Sequence, residues 1–358
     1  MDHDHLLKAG VESLSGHRVQ AWERLTSSRR NVVVRATLDT GDSIIVKAPT
    51  PAGLAGARER AALQVLGGLG VPGVPRLLAA GDDPRLLLLE DLGPGPSVAD
   101  RLLGDNPALA AGSIRRWAES VARMQGHSLT AGHQFGAALG DSEPLDTSAG
   151  YTLEAAKTLA ELLPQLGVDP VTAALDEFVS TAQLGAGPHA LTPGDACPDN
   201  NVERDGELAL IDFEQAEYRH VAWEAAYLAV PWPTCWCSWR LPEEVTAAAL
   251  TAWQEVLTPF LPPASVAGLA EAVRRATVAW AMLTTAWQLP PAMADEAPAS
   301  SKLGRLRPDR QALLQHRLSV AVAHTPPASD LHRLAAETLD AVRHRWGIHE
   351  LPLAPAWR

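Results

Sequence analysis

The chain has 358 residues, 46% of them apolar and 20% charged, and a formal net charge of −12. That is apolar enough to build a core and too weakly charged for a disordered chain, and the acidity argues against a nucleic-acid partner. Only four of the 30 basic residues are lysines (Lys8, Lys47, Lys157, Lys302), so each lysine is a position to account for.

In chain order, the first ten residues are acidic and lack the basic-then-apolar pattern of a secretory signal. Residues 18–25 and 32–38 read as strands around the polar turn 26–31, and a turn at 39–42 leads to a third strand at 43–47. Helical periodicity runs over 52–69 and stops at glycines and Pro72. Two more strands follow, 77–80 and 85–90. Gly93-Pro94-Gly95-Pro96 then interrupts the pattern and marks a domain junction, with one lobe at 1–92 and a second at 93–358. Beyond it, residues 113–127, 155–166, 170–184, 243–257, 264–288, 309–324 and 328–345 suit helices, and the Pro, Ala and Ser content of 290–308 predicts a loop. The most apolar helical stretch, 276–289, is shorter than the roughly 20 residues a membrane crossing needs, which predicts a core helix and no membrane partner. A cytoplasmic location is expected.

Three cysteines, Cys197, Cys235 and Cys237, do not imply a disulfide framework. Cys235 and Cys237 lack the second pair or histidine spacing of a zinc site, so they read as buried thiols beside Trp232, Trp236 and Trp239. Gly68-Leu69-Gly70-Val71-Pro72-Gly73 has the spacing of a dinucleotide fingerprint, but it follows a helix and runs into proline, so it reads as a helix stop.

The segment 191–216 carries the chemistry. Residues 201–204 and 207–211 are short strands around Asp205-Gly206, a favoured two-residue hairpin turn. Centring the hairpin there puts Asn200 opposite Ile211 and therefore beside Asp212, with facing Cα atoms about 5 Å apart. An amide oxygen and a carboxylate at that separation suit Mg²⁺, which takes one or two protein ligands plus phosphate oxygens and water. Asp195, on the entering loop, is placed to meet a hydroxyl. Each of these residues alone is an ordinary turn former; the pattern Asp-x-x-x-x-Asn, hairpin, apolar strand, Ile211-Asp212-Phe213 is not.

This segment, LTPGDACPDNNVERDGELALIDFEQA, resembles the catalytic core of the aminoglycoside phosphotransferase and choline kinase families. The resemblance spans about residues 18–230 and implies an α+β, protein-kinase-like bilobal fold: a small β-rich N-lobe with one helix and a larger, mostly helical C-lobe. It implies ATP and Mg²⁺ as cofactors, Asp195 as the catalytic residue, and Asn200 and Asp212 as metal ligands. Pro193 stands where the family usually has a histidine that braces the loop. Glu224 stands where it tends to have a helix-borne aspartate.

The N-terminal residues fit the same scheme. Lys47 ends an apolar strand, and Glu59 shares a helical stripe with Ala62, Leu63 and Leu66, so the two are positioned to pair. In kinases such a lysine holds nucleotide phosphates. The apolar strand 86–89 running into Asp91 and Leu92 looks like the adenine-binding hinge, and Ser28 and Asn31 in the glycine-free turn match a Ser and an Asn common there.

The implied activity is transfer of the γ-phosphoryl group of ATP to a hydroxyl of a small molecule, an amino-sugar or similar cationic metabolite or antibiotic. Glu214, Glu217, Glu224 and Trp232 are the candidate acceptor contacts. A choline-type amino-alcohol kinase and a non-catalytic nucleotide-binding protein on the same fold stay open as alternatives, and the oligomeric state is not set by the sequence.

Overall fold

The computed structural model describes residues 3–27, 31–49, 54–83, 85–141, 143–294 and 306–358. Helix α1 (His3–Ser15) leads into strands β1 (Val19–Ser27), β2 (Asn31–Leu38) and β3 (Ser43–Pro49). Helix α2 (Ala55–Gly68) follows, then β4 (Leu77–Asp82) and β5 (Arg85–Glu90). The strands form one antiparallel sheet in the order β1-β2-β3-β5-β4, and Lys47 of β3 pairs with Leu87 of β5.

The leucine run of β5 explains how the sheet is covered. Successive side chains on a strand point to opposite faces. Leu86 and Leu88 join Val34, Ala36, Ile44 and Val46 beneath Leu7 and Val11 of α1. Leu87 and Leu89 join Ala62, Leu63 and Leu66 of α2 on the other face. Each fully buried leucine contributes about 1.5–3 kcal/mol, so both covers are needed. The sequence reading expected one helix in this lobe and missed α1, although Leu7, Val11 and Leu14 repeat at helical spacing.

The chain then crosses residues 91–97, which lie along the hairpin of residues 201–210: Glu203 N–H donates to the Pro96 carbonyl (2.9 Å) and Arg204 Nη1 to the Leu92 carbonyl (3.0 Å). A Cβ on Gly95 would sit 2.1 Å from the Glu203 carbonyl oxygen, so only glycine permits this approach.

The second lobe comprises α3 (Val98–Leu102), α4 (Pro107–Ser128), α5 (Gly132–Leu139), α6 (Ser148–Leu162), α7 (Thr172–Ala182), β6 (His189–Thr192), β7 (Asn201–Arg204), β8 (Glu207–Leu210), β9 (Glu217–His220), α8 (Ala222–Ala229), α9 (Glu243–Leu257), α10 (Pro263–Met293), α11 (Arg310–His324) and α12 (Asp330–Trp346). Helix α4 starts earlier than its apolar pattern predicts because Asn106 caps it, accepting from the N–H groups of Ala108 and Leu109, with Pro107 at the first position. Helix α10 packs against α6, α7, α8 and α11, and its residues 276–286 are buried all round. It runs past the expected stop at Pro290-Pro291 to Met293, since prolines in a last turn still offer carbonyls and Ala294 N–H bonds to that of Pro290. Part of the loop expected over 290–308 lies outside the described residues. Among those described, no helix is long and apolar enough to cross a membrane.

Strands β7 and β8 pair with Asn201 opposite Leu210 and Arg204 opposite Glu207, the predicted register. Asp205 and Gly206 both have positive φ (52° and 82°), as a two-residue hairpin turn of this hand requires. Strands β6 and β9 form a second, unpredicted pair that brings Thr192 opposite Glu217.

Candidate active site

The hairpin register carries directly into the site. Ile211 N–H donates to the Asn200 carbonyl (3.0 Å), which sets Asn200 beside the strand that ends in Asp212. Asn200 Nδ2 donates to the backbone carbonyl of Asp195 (2.8 Å), leaving its amide oxygen as the group it can offer a cation. Asp212 has φ 67°, a left-handed conformation uncommon for a non-glycine residue and characteristic of functional turns.

Across the cleft, Lys47 Nζ lies 2.7 and 2.9 Å from the two oxygens of Glu59 and 2.7 Å from Asp212 Oδ1. Glu59 also accepts from the N–H of Phe213 (3.3 Å), so one carboxylate joins α2, β3 and the end of the hairpin. Burial opposes the charge on Lys47, but Glu59 and Asp212 outweigh it and hold the ammonium above its ordinary range. Burial pushes the Glu59 carboxyl up, Lys47 pulls it back, and the like charge of Asp212 adds to the rise. Lys47 and Glu59 are sealed, whereas the Asp212 side chain is 32% exposed.

These residues line a cleft of about 370 Å³ between the lobes, walled by Val33, Ile45, Leu89 and Ile211. Its apolar walls suit a flat apolar group, and its charged end, one ammonium against two carboxylates, suits an anionic group that brings a cation with it. At the hinge, the Asp91 side chain is already engaged, with Arg35 Nε (2.7 Å), Ser43 Oγ (2.6 Å) and the N–H of Gly93 (2.9 Å). Burial works against its charge, but these donors prevail and hold its carboxyl below the usual range. Asp91 and Leu92 therefore offer the cleft backbone rather than a carboxylate. Asn31 donates through Nδ2 to Glu214, bringing the start of β2 onto the residue after Phe213. Ser28 lies outside the described residues.

Asp195 Oδ1 accepts from Thr234 Oγ1 (2.6 Å). The loop before it is fixed from below by a buried ion cluster. Arg219 Nη2 reaches Glu224 Oε1 (2.6 Å) and the Gly194 carbonyl (3.3 Å), and Arg219 Nη1 reaches Glu217 (3.4 Å). Thr192 Oγ1 donates to Glu224 (2.5 Å) and accepts from the N–H of Gly194 (3.0 Å). At Gly194, φ is +76° and a Cβ would meet the Gln215 carbonyl at 1.8 Å. The brace expected from a histidine at position 193 is thus supplied by Thr192, Arg219 and Glu224.

Of the candidate acceptor contacts, Glu214 is half-buried, two residues after Asp212, and bonded to Asn31. Glu217 and Glu224 are closed inside the Arg219 cluster, and Trp232 is fully buried, edge-on to Trp117 at 4.9 Å between ring centroids. The sequence reading missed Thr234, Arg219 and Arg35. Only Arg219 left a local trace, alternating with Glu217 on one strand.

The cysteines also depart from expectation. Cys197 and Cys235 form a disulfide, with Cα atoms 5.6 Å apart and a sequence separation of 38. Cys237 Sγ is 3.4 Å from Cys235 Sγ. The pairing joins the loop that carries Asp195 to the segment after α8, a long-range contact that spacing does not reveal.

A sheet-bearing lobe, a helical lobe and a lysine–glutamate–aspartate constellation in the cleft define a protein-kinase-like fold. A family model for phosphotransferase enzymes matches residues 21–254, and the chain belongs to that family. A search among curated proteins finds no match. Among solved structures it is similar to a choline/ethanolamine kinase family protein from Mesorhizobium loti, with 16% identity over 90% of this chain and 92% of that one and a TM-score of 0.53. It is similar to the macrolide 2′-phosphotransferase MphH from Brachybacterium faecium, with 17% identity, 91% and 99% coverage and a TM-score of 0.52. The streptomycin–ATP ternary complex of APH(2″)-IIa has 13% identity, 82% and 96% coverage and a TM-score of 0.52. The protein is a phosphotransferase.

Proposed function

We propose that the cleft binds Mg²⁺·ATP and that the protein transfers the γ-phosphoryl group to a hydroxyl of a small, cationic molecule such as an amino-sugar. The observation that carries this reading is the Lys47–Glu59–Asp212 constellation with Asn200 beside it at the hairpin end. Its donor set, one carboxylate and one amide oxygen next to an ammonium, fits a hard divalent cation with phosphate oxygens. Bound there, Mg²⁺·ATP supplies the transferable group and a counter-charge for it.

The roles of the chain's own residues follow. Lys47, held charged and oriented by Glu59, presents an ammonium to phosphate oxygens. Asn200 and Asp212 offer the metal ligands, and the backbone at Asp91 and Leu92 meets the base. Asn31 closes the phosphate end. Asp195, steadied by Thr234, orients the acceptor hydroxyl and takes its proton, so catalysis is mainly positioning and charge stabilisation. Residues 1–92 are the nucleotide lobe and 93–358 the acceptor lobe. In this assignment Glu214 faces the acceptor side, while Glu217, Glu224 and Trp232 shape the loop. The acidic chain favours a cationic acceptor.

The test is a thermal-shift titration with ATP, with and without Mg²⁺, on the wild type and Asp212→Ala. A ligand that binds only the native state raises the melting temperature by mass action. The expected result is a Mg²⁺-dependent rise that Asp212→Ala loses. No rise with any nucleoside triphosphate overturns the reading.

A further inference from the structure

All three cysteines of the chain converge on the catalytic loop. Cys197 lies between Asp195 and Asn200, and Cys235 directly follows Thr234, whose hydroxyl holds Asp195. The disulfide therefore links the two segments that this hydrogen bond joins. Around it, Trp236 Nε1 donates to Asp199 Oδ2 (2.6 Å) and Cys235 Sγ lies 3.5 Å from Asp199 Oδ1. Cys237 Sγ, 3.4 Å from Cys235 Sγ, is close enough to attack that sulfur. Of the three, Cys235 is the most exposed, at 9%, against 4% for Cys197 and 0% for Cys237.

We propose that Cys197, Cys235 and Cys237 form a thiol–disulfide exchange site, modified by small-molecule disulfides, that latches the Asp195 loop. The latch closes in two displacements. The Cys235 thiolate attacks a small disulfide and expels one small thiolate; the Cys197 thiolate then attacks Cys235 Sγ and expels the second. The two cysteines lose two electrons and two protons, which leave on two small thiols. Opening by exchange needs no outside reagent: the Cys237 thiolate attacks Cys235 Sγ, the Cys235–Cys237 bond forms, and Cys197 departs as thiolate. The loop is then tied only by its hydrogen bonds.

That this loop is catalytic rests on the proposed function, so the test reads linkage and loop motion, neither of which needs turnover. Full-length protein is equilibrated with oxidised or reduced glutathione, quenched in acid, unfolded in denaturant so that all three cysteines are accessible, blocked with maleimide, digested and mapped by mass spectrometry. Backbone hydrogen exchange over residues 196–201 is measured in both states. The oxidised wild type should lose two of its three maleimide-reactive thiols and show the Cys197–Cys235 linkage. Loop exchange should slow on the order of tenfold. Cys197→Ser should instead show Cys235–Cys237, and Cys237→Ser should keep Cys197–Cys235. Three reactive thiols under both conditions, equal loop exchange in the two states, or a metal ion held by three thiolates in elemental analysis would each overturn the proposal. A latch that forms in protein showing no nucleotide-dependent thermal shift would count against the proposed function alone.

Discussion

One cluster of buried charge braces the loop that carries Asp195, and a second lines the cleft. In the Arg219 cluster every member is closed off: Arg219, Glu217 and Glu224 are 4%, 3% and 1% exposed. In the Lys47 cluster two members are nearly as closed, at 10% and 3%, but the third, Asp212, is 32% exposed and opens to the cleft. The closed cluster has spent its charge on itself and can only fix geometry. The open one keeps a carboxylate and part of an ammonium's field for something that arrives. Carboxylate identity alone does not separate these roles; what decides is whether one side of the cluster faces solvent.

The comparison can be broken at several points. Asp195→Asn should lower phosphoryl transfer roughly 10²- to 10⁴-fold while leaving the Mg²⁺·ATP thermal shift in place; an unchanged transfer rate removes Asp195 from its role. Arg219→Met leaves Glu224 buried without a counter-charge and Glu217 with only Arg58, 3.8 Å away, and should cost about 3–5 kcal/mol in urea denaturation. Lys47→Met should cost less stability than Arg219→Met, because Asp212 can turn to water and the buried Glu59 can take a proton, yet it should abolish the nucleotide shift. Equal stability losses in the two variants would erase the distinction between open and closed clusters.

Smaller effects sharpen the picture. His220 Nδ1 accepts the N–H of Ala222 (3.1 Å), so the ring must stay neutral. Burial chiefly, with His189 and Arg275 nearby, lowers its pKa to about 4, against a weak opposite pull from Asp146. Between that value and the ordinary one of about 6.5, the unfolded chain binds a proton that the folded one refuses. Stability therefore falls as pH drops through this window, and a pH series of melts should show a slope that His220→Asn flattens. Thr234→Val, which removes one hydrogen bond to Asp195, should cost about 1 kcal/mol, read by the same melts.

How much the sequence revealed depended on distance along the chain. The hairpin was legible to the residue because Asp205-Gly206 fixes the turn and the turn fixes the register. The approach of Lys47 to Glu59 was legible because a strand end and a helix stripe only 12 residues apart constrain each other. Helix α1 was overlooked because its short apolar stripe makes sense only beneath a β5 that is apolar on both faces. Glu217 and Glu224 read as candidate acceptor contacts, but Arg219, brought in on β9, closes over them. The disulfide and the Thr234 contact join segments roughly 40 residues apart, and nothing local to either end announces its partner.

The linker between the lobes is not a free tether. Its Leu92 and Pro96 carbonyls are held by the hairpin, and Gly95 lies flat against the backbone of Glu203. The only positive φ in the linker is at Gly93 (78°), between those anchors. Any swing of the sheet against the helices must pivot close to this residue or tear the anchors. The fulcrum is thus bolted to the hairpin that carries Asn200 and leads to Asp212. Opening and closing of the jaws would leave that end of the cleft in register.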